Sequence, residues 1–118
     1  MRRLAILKWM FLLVGIAIVY GVYIRVQNRF TVTNASGQTV RSLRVQAGAS
    51  VHHFENVDNL SRVSSSFQIV SDSGYEVSGI LADGKTFHRG CGYLSNGMWG
   101  ERARFVIDRQ GNVLSDWD

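Results

Sequence analysis

The chain has 118 residues, with 13 Lys and Arg against 9 Asp and Glu and a formal charge of +4. Its apolar residues are unevenly spread: residues 1–24 hold 19 of the 54, and residues 25–118 hold 35, or 37% of that stretch. The length excludes several ordinary domains, the balance of apolar to charged residues excludes disorder as the default, and one cysteine excludes an internal disulfide framework.

The apolar head comes first. Residues 9–24 run for 16 positions without a charge, and extension back to Leu4 gives 21, broken only by Lys8. At about 1.5 Å per residue, such a helix measures roughly 31 Å, close to the ~30 Å hydrocarbon thickness of a bilayer. Lys8 lies one turn from the start, where its ammonium can snorkel to the interface. Trp9 at one end, with Tyr20 and Tyr23 at the other, resembles an aromatic belt. A cleaved signal peptide is the rival, but its apolar core is typically about 7–15 residues. Val19-Tyr20-Gly21 is a poor substitute for a small-residue cleavage site. The expectation is a signal anchor over 4–24 behind a short cytoplasmic tail, 1–3. Arg2, Arg3 and Lys8 outweigh Arg25 and Arg29 only slightly, and that difference favours a cytoplasmic N-terminus and an extracytoplasmic body. Ala17 and Gly21 form a small-xxx-small pair along which two helices can approach, the route to a homodimer.

After a linker, 25–29, the body reads as one all-β domain, 30–118. It has 10 of the 12 glycines and no proline. Turn signals recur every eight to twelve residues between short alternating runs. Strands are expected at 30–33, 39–46, 51–54, 67–71, 75–81, 85–88, 103–108 and 113–117. Val40 is out of phase with Leu43 and Val45, which predicts a bulge there. Residues 55–66 read as a polar connection. Asp83-Gly84 is the strongest hairpin signal, fitting a type I′ turn. No helical pattern separates the strands, so parallel crossover units are not expected. The fold expected is a small antiparallel β-sandwich, immunoglobulin-like, or else a partly closed barrel.

Chemistry-bearing residues are sparse. A zinc site needs three or four converging ligands, but His52 and His53 are adjacent and point to opposite faces of a strand. His88 and Cys91 alone make a weak H-x-x-C. Cys91 with His88 as base is the enzymatic alternative, yet the flanking Gly90 and Gly92 read more naturally as a tight backbone site. No phosphate loop, nucleophile elbow or dinucleotide fingerprint occurs. No catalytic residue, metal or cofactor is therefore expected. Asn34-Ala35-Ser36 and Asn59-Leu60-Ser61 match the N-glycosylation sequon.

Residues 88–104 gather Tyr93, Met98, Trp99, Arg102 and Arg104 among glycines. These are the residue types enriched at protein interfaces, and they form the candidate partner-binding surface. The alternative is that Tyr93 and Trp99 plug one end of the core. The body alone carries 10 Lys and Arg against 9 Asp and Glu. Arg89, Arg102 and Arg104 are interrupted by Glu101, so no nucleic-acid footprint is expected. The functional expectation is a membrane-anchored, non-catalytic binding or assembly module with a protein partner, with a small tethered enzyme or a structural subunit of a membrane complex as alternatives.

Overall fold

The computed structural model of the chain describes residues 2–95 and 99–116, apart from the side chains of Arg2 and of residues 23–26. Helix α1 spans Arg2–Val26. Eight strands follow: β1 Asn28–Asn34, β2 Val40–Ala47, β3 Ser50–Val57, β4 Arg62–Phe67, β5 Ser73–Leu81, β6 Thr86–Leu94, β7 Arg102–Ile107 and β8 Val113–Ser115. The 25–29 stretch is taken up almost wholly by the end of the helix and the start of β1, with Gln27 between them.

The strands form two four-stranded sheets, ordered β4-β1-β7-β8 (sheet I) and β3-β2-β5-β6 (sheet II). Both contribute to one apolar core, with Phe30, Val32, Phe105 and Ile107 from sheet I and Leu43, Val45, Tyr75 and Val77 from sheet II. Aromatic edges knit it together. Tyr75 meets Phe105 with ring centroids 5.3 Å apart, and Phe67 at 5.6 Å, both edge-on. Such contacts add about 0.5–1.5 kcal/mol beyond area burial. The sheets do not close into a barrel.

The strand order departs from the immunoglobulin arrangement, in which the first, second, fifth and fourth strands share a sheet. Here β1 and β2 lie in different sheets. The expectation of purely antiparallel pairing also needs correction, because β1 and β7 pair in parallel, from Arg29↔Arg102 to Asn34↔Ile107. The crossover between them is the intervening body of strands rather than a helix.

The turns carry much of the local logic. Ala47 and Ser50 pair across Gly48-Ala49; Gly48 alone of the two central residues has positive φ, at 61°, as a II′ hairpin demands. The Asp83-Gly84 hairpin does join β5 to β6. Its turn type differs from the expected I′, since only Gly84 has positive φ, at 90°. Gly84 N–H donates to Leu81 O (2.9 Å) and Leu81 N–H to Lys85 O (2.8 Å), giving a type I turn closed by a left-handed glycine. Asp83 Oδ1 accepts the Lys85 N–H. That bond, then one from the Gln38 amide, holds the Asp83 carboxyl below its ordinary pKa. The β7–β8 turn repeats the construction with Gly111 at φ 79°. Gly84→Val is expected to lose about 1–3 kcal/mol in urea unfolding, because a β-branched residue resists this φ although the space is open. Gly84→Asn should lose less; equal stability in all three proteins would discount the turn.

The Val40 bulge is present, as a register shift between Val40 and Ser42 against β5. The polar connection expected at 55–66 is wrong at both ends, since residues 55–57 finish β3 and residues 62–66 belong to β4, and the 67–71 strand is correspondingly absent beyond Phe67. The reason is chemical. β4 is an edge strand whose inward positions are Val63, Ser65 and Phe67, and the serine erases the apolar alternation that marks a strand. A left-handed Asn56, φ 52°, also slips the phase of β3 before Val57 turns inward. Strand β6 runs six residues past the expected end at His88, to Leu94.

Candidate functional site

Along β7, alternation sends Ala103, Phe105 and Ile107 into the core and leaves Arg102, Arg104 and Val106 outside. Register then decides their neighbours. Arg102 lies opposite Arg29 and Arg104 opposite Thr31 on β1; on the other side of β1, Thr33 lies opposite Arg62 and Thr31 opposite Ser64. The outer face of sheet I therefore carries Arg29, Arg62, Arg102 and Arg104, all exposed. The outer face of sheet II mixes signs, with Arg44 among Glu55 and Glu76. The basic stripe sought along the linear sequence is absent there because its members come from three strands.

Two of these arginines have structural duties. Arg29 Nη1 donates to Ser64 Oγ at 3.3 Å. Arg102 Nη1 donates to the Gln27 carbonyl, tying β7 to the residue that follows the helix. Arg62 and Arg104 make no hydrogen bond or ion pair among the described residues. They flank a groove of about 460 Å³ whose walls also include Thr31, Thr33 and Asp116. Arg89, near Arg102 and Arg104 in sequence, belongs elsewhere: its Nη1 donates to Val113 O at 2.6 Å, clasping β6 of sheet II to β8 of sheet I.

The candidate interface residues do not form one face. Tyr93 is 64% exposed at the end of β6, where its hydroxyl donates to Asp72 Oδ2 at 3.1 Å. Trp99 is 73% exposed in the β6–β7 connection. Neither plugs the core, correcting that alternative; Phe30, Tyr75 and Phe105 fill it instead. Met98 lies outside the described residues. Arg102 and Arg104 stand on the outer face of sheet I, whereas Tyr93 belongs to sheet II.

His88 and Cys91 are on opposite faces of β6. Cys91 pairs with the inward Tyr75 and His88 with the outward Ser78, so the base imagined for the thiol is turned away from it. Cys91 is half-buried against the core, in a cleft of about 220 Å³ lined by Gly48, Gly74, Gly90 and Gly92. Burial, then Glu101 and Cys91, push the neighbouring Tyr75 phenol well above its ordinary pKa. His52 is half-buried edge-on against Phe30, with centroids 5.1 Å apart, while His53 is exposed on the other side of β3. Among the described residues, no three His, Cys, Asp or Glu side chains are grouped to hold a metal ion.

The sequons fare differently. Asn34 is 1% exposed, and its amide is fully engaged. Nδ2 donates to Gln38 O (2.8 Å) and Val57 O (2.9 Å), while Oδ1 accepts from Ser36 N (3.1 Å) and Ser36 Oγ (2.6 Å). Asn59 is exposed and accepts the Gly37 N–H at 2.9 Å.

No family model matches the chain, and no curated protein matches it significantly. Among solved structures, the fold is similar to an NMR structure of a protein from Eubacterium rectale. The TM-score is 0.53 at 14% identity, over 75% of this chain and 85% of that one. At that identity the likeness is one of fold.

Proposed function

We propose that the protein is a membrane-anchored, non-catalytic binding or assembly module. Helix α1 holds a small β-sandwich at the membrane, with the N-terminus cytoplasmic and the domain outside. One observation carries the reading: the 20-residue, predominantly apolar segment from Arg3 to Val22 is helical, with none of it buried in the protein. Trp9, Phe11, Leu13, Ile18, Val19 and Tyr20 are all exposed. A soluble protein does not leave so large a contiguous apolar surface uncovered, and hydrocarbon is the cover that fits its length. The core shared by the two sheets, with Tyr75 meeting Phe105 across it, supports the sandwich reading.

The binding part of the proposal draws on Tyr93, Met98, Trp99, Arg102 and Arg104, of which Tyr93 and Trp99 leave most of their surface in solvent. Exposed Trp and Tyr are the types that dominate binding energy at protein interfaces. Self-association through Ala17 and Gly21 is the membrane-level counterpart, and a cysteine-scanning crosslink along α1 tests it.

The full-length chain is expected to stay in the membrane pellet through carbonate and high-salt washes, since apolar burial is not screened by salt. Release of the intact chain would overturn the anchor, and a mature N-terminus near residue 22 would make the segment a signal peptide. Tyr93→Ala with Trp99→Ala should abolish crosslinking to a partner in native membranes, with folding stability changed by less than about 0.5 kcal/mol because both side chains are exposed. Undiminished crosslinking would remove this surface from the proposal.

A further inference from the structure

We propose that the groove on the outer face of sheet I is a binding site for a phosphate-bearing ligand, specifically a soluble phosphate monoester of a hydroxylated carrier, held between Arg62 and Arg104. The inference gives a ligand chemistry to the binding module proposed above and rests on that reading only for its biological setting.

The geometry carries it. Arg62 on β4 and Arg104 on β7 lie on either side of β1, opposite Thr33 and Thr31 respectively. Two strand spacings and a two-residue stagger separate their Cα atoms by roughly 12 Å, within reach of one ligand for two long side chains, and both line the same groove as Thr31 and Thr33 between them. Neither guanidinium is engaged by another described residue. Each is a planar fork of five N–H donors that matches phosphate oxygens in bidentate fashion. Two forks and two hydroxyls offer more donors than the two oxygens of a carboxylate can use. The three terminal oxygens of a phosphate monoester suit them better.

Asp116 narrows the class. Its carboxylate lies in the same groove, where it repels a bare anion but accepts a hydrogen bond from a hydroxyl. A phosphate joined to a polyol satisfies both signs. Single-stranded nucleic acid is disfavoured because Phe30, Phe67 and Phe105 are all turned into the core, leaving no stacking platform among the described residues of these strands. A lipid surface is disfavoured by height. Thr33, which marks the level of Arg62, is four residues beyond Arg29, or about 13 Å further along β1 from the end of the helix.

The test uses the full chain in a nonionic detergent, so that it reads the groove whether or not α1 proves to be an anchor. Titration calorimetry with glycerol phosphate should show saturable binding that weakens as salt is raised. Arg62→Ala and Arg104→Ala should each weaken it by at least about tenfold, as the loss of a charge-assisted pair implies. Arg44→Ala, on the outer face of the other sheet, should change it less than about twofold, since a charge separated from the groove by both sheets is largely screened. Asp116→Asn should tighten inorganic phosphate and loosen glycerol phosphate, reversing their order. The proposal is overturned by an absence of saturable binding at millimolar ligand, or by an equal loss in Arg44→Ala, which would mean diffuse attraction. Binding confined to vesicles containing phosphatidylglycerol, with none to soluble glycerol phosphate, would overturn it in favour of a lipid surface.

Discussion

Gly79→Val is expected to unfold the domain at room temperature, or to leave it too unstable for a measurable native baseline. Gly79 lies on β5 between Leu43 of β2 and Phe87 of β6, on the inward face. A Cβ built there would meet Phe87 Cζ at 2.6 Å and, closer still, the carbonyl oxygen of Ser42. The two obstacles differ in kind. Phe87 is a buried side chain, and displacing it resembles its deletion, about 3–5 kcal/mol. Ser42 O is backbone, brought close at the β2 bulge, so β2 and β5 must themselves separate. Small domains have only about 5–15 kcal/mol of stability, and this substitution takes most of it. Gly79→Ala with Phe87→Leu should recover part of the loss by removing the ring, leaving the backbone clash. Far-ultraviolet dichroism and urea unfolding read both; a Gly79→Val protein of wild-type stability would mean that the sheet is packed differently here.

The second large effect is expected at Asn34. This side chain ends β1, closes the 35–38 loop onto itself and reaches the last carbonyl of β3, with all four of its amide hydrogen-bonding positions used. Its backbone also accepts the Leu60 N–H and donates to Ser61 O, drawing in the approach to β4. Asn34→Ala leaves buried donors and acceptors without partners, each worth about 1–3 kcal/mol, for a total near 3 kcal/mol. Asn34→Asp, almost the same shape, should be at least as damaging at neutral pH, because a carboxylate then faces the carbonyl oxygens of Gln38 and Val57. Urea midpoints would check both, and an Asn34→Ala midpoint close to wild type would refute the keystone role. The same burial means that the first sequon is closed to a glycosyl carrier once the domain has folded.

What could be read from the linear chain follows a physical pattern. Features decided within a few residues were legible: the apolar run of α1, the turn at Gly84, which takes positive φ, the β5–β6 hairpin it makes and the bulge after Val40. Features decided by which strand lies beside which were not. Strand β4 was hidden because Ser65 replaces an apolar residue at an inward edge position. The parallel β1–β7 pair was invisible because nothing local distinguishes a strand's partner. The arginine face was missed for the same reason, as Arg29, Arg62 and Arg104 are far apart in sequence and become neighbours only through register. Alternation correctly placed Arg102 and Arg104 outward, but it could not say that Arg62 would join them or that Tyr93 would be sent to the other sheet.

The pairing of β1 has a consequence in time. Both its neighbours come later in the chain, and Arg29 meets its partner Arg102 only after 73 further residues have been made. At about 5–20 residues per second, that is an interval of roughly 4–15 s. The hairpins β2–β3 and β5–β6 have short turns and can form as they emerge. Strand β1, by contrast, must wait beside the end of α1 with both edges unpaired until β4 emerges and with one edge open until β7 does, and an unpaired edge is a template for other chains. Arg29, Asn28 and Asn34 give this waiting strand polar ends, and its two threonines keep one face wet. The nascent protein is thus most vulnerable in its first strand, and remains so until its seventh arrives.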